Sequence, residues 1–167
     1  MDFAIPQNEG LERFLKFQNA PALGAGKTVY AWALDEIRAG KKRTHWMWYI
    51  FPQLRGLGQS LMSYTFGIAD LREAKAYVAH PILGKRLYTC CDALLKLTDI
   101  SAVEILGHTD AMKLRSSMTL FAQVTEEDSV FTKVLQKYYD GEPDYKTLGL
   151  LKTRQFLPDP YKIHILK

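Results

Sequence analysis

Residues 41 to 53 read Lys41-Lys42-Arg43-Thr44-His45-Trp46-Met47-Trp48-Tyr49-Ile50-Phe51-Pro52-Gln53. Trp46 and Trp48 offer rings that can stack on a planar ligand. Arg43 can meet an anion, and Gln53 can orient a ligand by hydrogen bonding. His45 is the side chain best matched to proton exchange near neutral pH, which makes it the candidate general acid or base. The competing interpretation is a core helix. A helix that is aromatic on nearly every side is largely buried, and its indole N–H and imidazole then need only find partners.

A second cluster is Lys113-Leu114-Arg115-Ser116-Ser117-Met118-Thr119-Leu120-Phe121. On a helix, Ala111, Leu114, Met118, Phe121 and Ala122 form an apolar stripe. Arg115, Ser116, Thr119 and Gln123 fall within an arc of about 100° beside it. A guanidinium with short hydroxyl side chains suits a phosphate or carboxylate, with Lys113 and Ser117 as further ligand-binding candidates. The competing interpretation is a solvated face with hydrogen bonds inside the helix. Around His80-Pro81, the residues mark a helix boundary rather than an anion site.

Three other chemistries are disfavoured. Gly24-Ala25-Gly26-Lys27-Thr28 ends like a phosphate-binding loop, but Pro21 stands where that loop needs glycine, and no strand precedes it. His45, His80, His108 and His164 are scattered, and no CxxC is present, so no metal site is expected. Ser116 or Ser117 lacks the GxSxG context of a nucleophile elbow. No cofactor is indicated.

The elements that must carry these residues are helical. Leu11, Phe14, Leu15 and Gln18 keep helical spacing, with Asn8 as a cap. Helices are predicted over Lys27 to Ala39, ended by Gly40, and over His45 to Phe51, capped by Thr44 and limited by Pro52. A glycine-bearing loop follows through Ser60. Asp70 and Glu73 predict a capped helix from Leu71 to His80, then another from Ile82 to Leu97. Further helical segments are predicted over Ser101–Leu106, Thr109 or Asp110 to about Val124, Glu126–Tyr139 and Asp144–Leu151. The tail from Lys152 to Lys167, with Pro158 and Pro160, is expected to be extended. The fold class is all-α, a single domain over 1–167 holding about seven helices.

Composition agrees with one core. The chain has 167 residues, 47% hydrophobic and 24% charged, so a disordered or low-complexity chain is excluded. Its net charge of +4 permits anionic ligands without requiring them, which argues against nucleic acid as the main partner. Cys90 and Cys91 are adjacent and poorly placed for a bridge, which suits a reducing compartment. No apolar run reaches the length of a membrane span, and the N-terminus lacks the pattern of a secretory signal. A cytoplasmic location is expected; the oligomeric state is left open.

The stretches AGKKRTHWMWYIFPQLRGLGQS, EAKAYVAHPILGKRL and KLRSSMTLF resemble the bacterial family catalogued as domain of unknown function 1810. The resemblance spans about residues 11–150 and includes Phe17-Gln18; residues 152–167 extend beyond it. It implies a small all-helical cytoplasmic domain. Its blocks include His45, Trp46, Trp48, Gln53, Gly56, Gly58, Ser60, His80, Gly84, Lys113, Arg115, Ser116 and Ser117. Some members carry the label calpastatin, but a disordered protease inhibitor does not fit this composition. A glycine-rich loop over 21–26 and Phe66 in place of tyrosine depart from the family pattern. The resemblance implies no activity; the candidate residues themselves, with a fold-level analogy to small helical domains that act on ADP-ribose conjugates, give the expectation of a nucleotide- or ADP-ribose-type ligand acted on at a glycosidic bond. The alternative is a non-catalytic ligand-binding or protein/nucleic-acid interaction module.

Overall fold

The structure is a computed structural model that describes residues 10–154 except Leu23 and Ala25. Among these residues the secondary structure is helical, with two isolated bridges, Pro21 with Thr28 and Leu54 with Ile68. The helices are α1 (Glu12–Gln18), α2 (Val29–Arg38), α3 (Met47–Ile50), α4 (Leu61–Thr65), α5 (Leu71–Ala79), α6 (Leu83–Lys96), α7 (Ala102–Leu106), α8 (His108–Ala122), α9 (Val130–Tyr139) and α10 (Tyr145–Arg154). Ten helices thus replace the expected seven. The helices of four or five residues are α3, α4 and α7; α3 and α7 fall within segments read as helical from sequence, His45 to Phe51 and Ser101–Leu106. α4 was not anticipated. It forms because Ser60 Oγ accepts from Ser63 N at 3.1 Å, a side-chain N-cap.

Local chemistry sets the other ends. Thr28 Oγ1 caps α2 through Ala31 N, and Lys27 pairs with Asp35, so the glycine loop before them opens a helix. Asp70 Oδ1 caps α5 through Glu73 N at 2.8 Å. His80 Nδ1 accepts from Ile82 N and Leu83 N, both at 3.1 Å, and so starts α6. Gly84 sits where α6 crosses the end of α5, and a Cβ there would collide with the Val78 carbonyl oxygen. α9 begins at Ser129, its cap, rather than at Glu126. The short aromatic helix is only α3, with Trp46 at its N-cap position; Thr44 is engaged elsewhere. α10 runs to Arg154, so residues 152–154 are helical where an extended tail was expected. Asn8 and residues 155–167 lie outside the described residues.

α8 lies at the centre, against α5, α7, α9 and α10. It buries Leu114, Met118, Leu120 and Phe121, but also Ser116, Ser117 and Thr119. An aromatic path runs through the core from Tyr49 and Phe66 through Phe14, Tyr77 and Phe121 to Phe131. Each fully buried ring contributes on the order of 2–3 kcal/mol of hydrophobic stabilisation. Most of the rings are therefore core rather than pocket wall. Cys90 and Cys91 are buried and free.

Candidate functional site

A cleft of about 260 Å³ opens between the end of α3, the loop at 53–58, α8 and the start of α10. Its lining includes Trp48, Gln53, Lys113, Arg115 and Ser116, five of the ten residues singled out from sequence. Two distant segments therefore meet there. α3 presents Trp48, and the chain then leaves the helix at Phe51 and Pro52, so Gln53 approaches in an extended segment. That segment is fixed by Ile68 N, which donates to Gln53 O at 2.9 Å.

The polar face of α8 docks the chain leaving α9. Asp140 and Gly141 both have positive φ, 54° and 78°, and reverse the chain into the segment 142–144. Arg115 Nε donates to Glu142 O at 2.9 Å. Asp144 Oδ2 accepts from Ser116 Oγ (3.1 Å), Thr147 N (3.1 Å) and Thr147 Oγ1 (2.5 Å), capping α10 while tying it to α8. Asp144 N donates to Thr119 Oγ1 at 2.8 Å. The hydroxyl groups expected to receive a ligand are thus largely spent on Asp144, although Ser116 still reaches the cleft.

The cleft is cationic. Lys113, Arg115 and Lys146 line it against one carboxylate, Asp144. The Lys113 ammonium lies 3.8 Å from the Trp48 ring centroid and 3.4 Å from Asp110 Oδ1, so a cation–π contact and a carboxylate hold it in place. A planar ligand reaches that face of Trp48 only by displacing Lys113. The terminal nitrogens of Arg115 have no hydrogen-bond partner among the described residues. Gln53 is 8% exposed, and its carboxamide makes no hydrogen bond within the described residues. Among the described residues the sealed, unpaired side-chain atoms are Trp32 Nε1 and Ser117 Oγ, so the Gln53 carboxamide is open to the cleft and can take an incoming partner.

The other five residues lie elsewhere. Trp46 is 1% exposed and its Nε1 donates to Glu36 Oε1 at 2.7 Å, so its ring belongs to the core and does not face a ligand. Burial pushes the Glu36 carboxyl up, but the Arg43 and Thr44 N–H groups, the Trp46 indole and the Thr44 hydroxyl outweigh it and hold Glu36 below the usual carboxylate range. Arg43 is exposed and lines a separate hollow with Trp32, Asp35 and Lys41. His45 is exposed, outside the cleft lining, and its carbonyl accepts from Tyr49 OH at 3.0 Å. Ser117 and Thr119 are fully buried. These placements correct the expectation of one aromatic helix facing a ligand: one turn of helix cannot turn Trp46 and Trp48 to the same side.

Asp144, Lys146, Thr109, Met112, Leu57 and Gly58 complete the lining and were not singled out. Asp144 carried a usable signal, a carboxylate three residues before Thr147 at a helix start. The others depend on which loops the fold brings across α8.

A small all-helical domain with a cationic, amide-bearing cleft is the class that this geometry defines. Residues 8–151 match the family described as protein of unknown function (DUF1810), and the chain belongs to that family. It is similar to the crystal structure of the conserved hypothetical protein Rv1873 from Mycobacterium tuberculosis. The identity is 46% and the TM-score 0.78, over 85% of this chain and 96% of that one. No curated protein matches the chain. Among the described residues no helix is long and apolar enough to cross a membrane.

Proposed function

We propose that the chain binds a small anionic, nucleotide-type ligand in the cleft between α3, α8 and α10. The observation that carries this reading is Gln53, whose carboxamide makes no hydrogen bond among the described residues and borders a space rimmed by Lys113, Arg115 and Lys146. A carboxamide presents a donor and an acceptor together, which suits the edge of a base. The free fork of Arg115 suits phosphate oxygens. Met112, Leu57 and Trp48 supply apolar wall.

Calorimetric titration with adenosine monophosphate tests this. Arg115→Ala is expected to weaken binding about 10-fold or more, the loss of one charge-assisted hydrogen bond. Gln53→Ala is expected to lower affinity by a similar factor. Absence of binding, or affinity unchanged in both variants, rules the reading out.

Cleavage at the ligand's glycosidic bond is a second reading. It draws on Asp144, whose Oδ2 is fixed by three donors while Oδ1 has no partner among the described residues. Oδ1 could accept a proton from an attacking water. His45 lies outside the lining. Asp144→Asn keeps the helix cap and removes the base. Release of adenine from adenosine monophosphate, followed by mass spectrometry, should occur in the native protein and fall at least 100-fold in that variant.

A further inference from the structure

The cleft has a neighbour across Lys146. A shallower hollow of about 370 Å³ adjoins it, lined by Gly56, Leu57, Lys146, Gly149 and Leu150. Leu57 and Lys146 line both spaces, so the two lie side by side across those side chains. The first space alone is slightly smaller than the roughly 300–1,000 Å³ of small-molecule sites; with the second it falls inside that range.

Gly149 is the telling residue of the second space. It lies inside α10, one turn from Lys146, so the two share a helix face. A glycine inside a helix costs about 0.5–1 kcal/mol relative to alanine. Packing does not require it, because no described atom lies within 4 Å of a Cβ placed there, and its φ is not in the positive region. What the missing side chain does is leave the floor of the hollow open. The opposite side is held rigid. Gly56 has φ +106°, and the Arg154 guanidinium packs beneath it while donating to the carbonyls of Arg55 and Ala69. Gln53, 8% exposed and without a side-chain hydrogen bond among the described residues, points to a ligand at the other end of the same groove.

We propose that the groove accepts an extended ligand, a nucleoside diphosphate joined to a second polar moiety, with the diphosphate at Arg115 and Lys146 and the second moiety on the Gly56–Gly149 shelf. This deepens the nucleotide reading above and rests on it. The order of groups along the groove follows from charge: Arg115 and Lys146 stand at the middle, and beyond Lys146 the shelf is lined by Gly56, Leu57, Gly149 and Leu150.

The test compares adenosine monophosphate with ADP-ribose, a diphosphate that carries a second sugar, by calorimetric titration of the full chain. ADP-ribose should bind at least about 10-fold more tightly. Gly149→Leu, which fills the shelf, should remove that advantage and leave the monophosphate affinity unchanged. Gly149→Ala should raise the melting temperature, since nothing opposes its Cβ, and so separates folding from binding. Equal affinity for the two probes, or a Gly149→Leu variant that weakens both or neither, overturns the extended groove. The first and last of these leave the cleft's nucleotide reading in place. Failure of both probes to bind the native chain overturns the two readings together.

Discussion

Ser117 and Gln53 both lack a side-chain hydrogen-bond partner among the described residues, yet they call for opposite explanations. Gln53 borders open space and can be satisfied from outside. Ser117 is fully buried on α8, with its Oγ sealed from solvent and unbonded. Removing a polar group that is already unsatisfied takes away a desolvation cost. Ser117→Ala is therefore expected to raise stability by about 1 kcal/mol, read by urea denaturation, with nucleotide affinity unchanged. Lower stability or altered binding would show that its hydroxyl has a partner or a ligand. Sequence reasoning placed Ser116 on the polar arc of α8 and added Ser117 beside it as a further candidate. They differ by 100° of helix rotation, which sends one to Asp144 and the cleft and the other into the core.

Individual elements are held in place by single buried side chains. Glu36 of α2 gathers the backbone N–H groups of Arg43 and Thr44, the Thr44 hydroxyl and the Trp46 indole, and so positions the segment that leads into α3 and Trp48. Its carboxyl is held below the usual range, so the stabilisation it provides is complete above the ordinary carboxylate pKa of about 4.3. That stabilisation is lost as pH falls through the lower folded value. Glu36→Gln is expected to cost about 2 kcal/mol or more at pH 7. The gap from the native protein should narrow in denaturation curves taken below about pH 4, whereas a gap independent of pH would exclude the charged form as the source. At this scale much was legible: Asp70 and the break at Pro81 mark helix ends in sequence because capping is local chemistry. Thr44 was not, since its hydroxyl bonds a carboxylate on another helix instead of capping its own.

Across the whole molecule, the core explains why the cysteines are inert. Burial pushes the Cys90 thiol up to about 12 and Cys91 well above its ordinary value, so neither forms thiolate near neutrality. A thiol reagent such as dithionitrobenzoate is expected to react only as fast as the chain unfolds, with full reaction in denaturant. Rapid labelling of the native chain would contradict the packing. Composition and apolar spacing were enough to determine an all-helical single core, because a helix must bury its apolar stripe and the stripe is written in the order of residues. The family blocks were equally visible, but several of their residues serve the fold: Ser60 and His80 start helices, Gly84 lets two helices cross, and Trp46 fills the interior. Only the tertiary structure decided that Trp48, Gln53, Lys113 and Arg115 share a cleft with Asp144 and Lys146 while His45 and Arg43 do not. A cleft is the space left between packed elements. Its position depends on how α8 and α10 are docked by Asp144, a contact between residues far apart in the chain that no local spacing records.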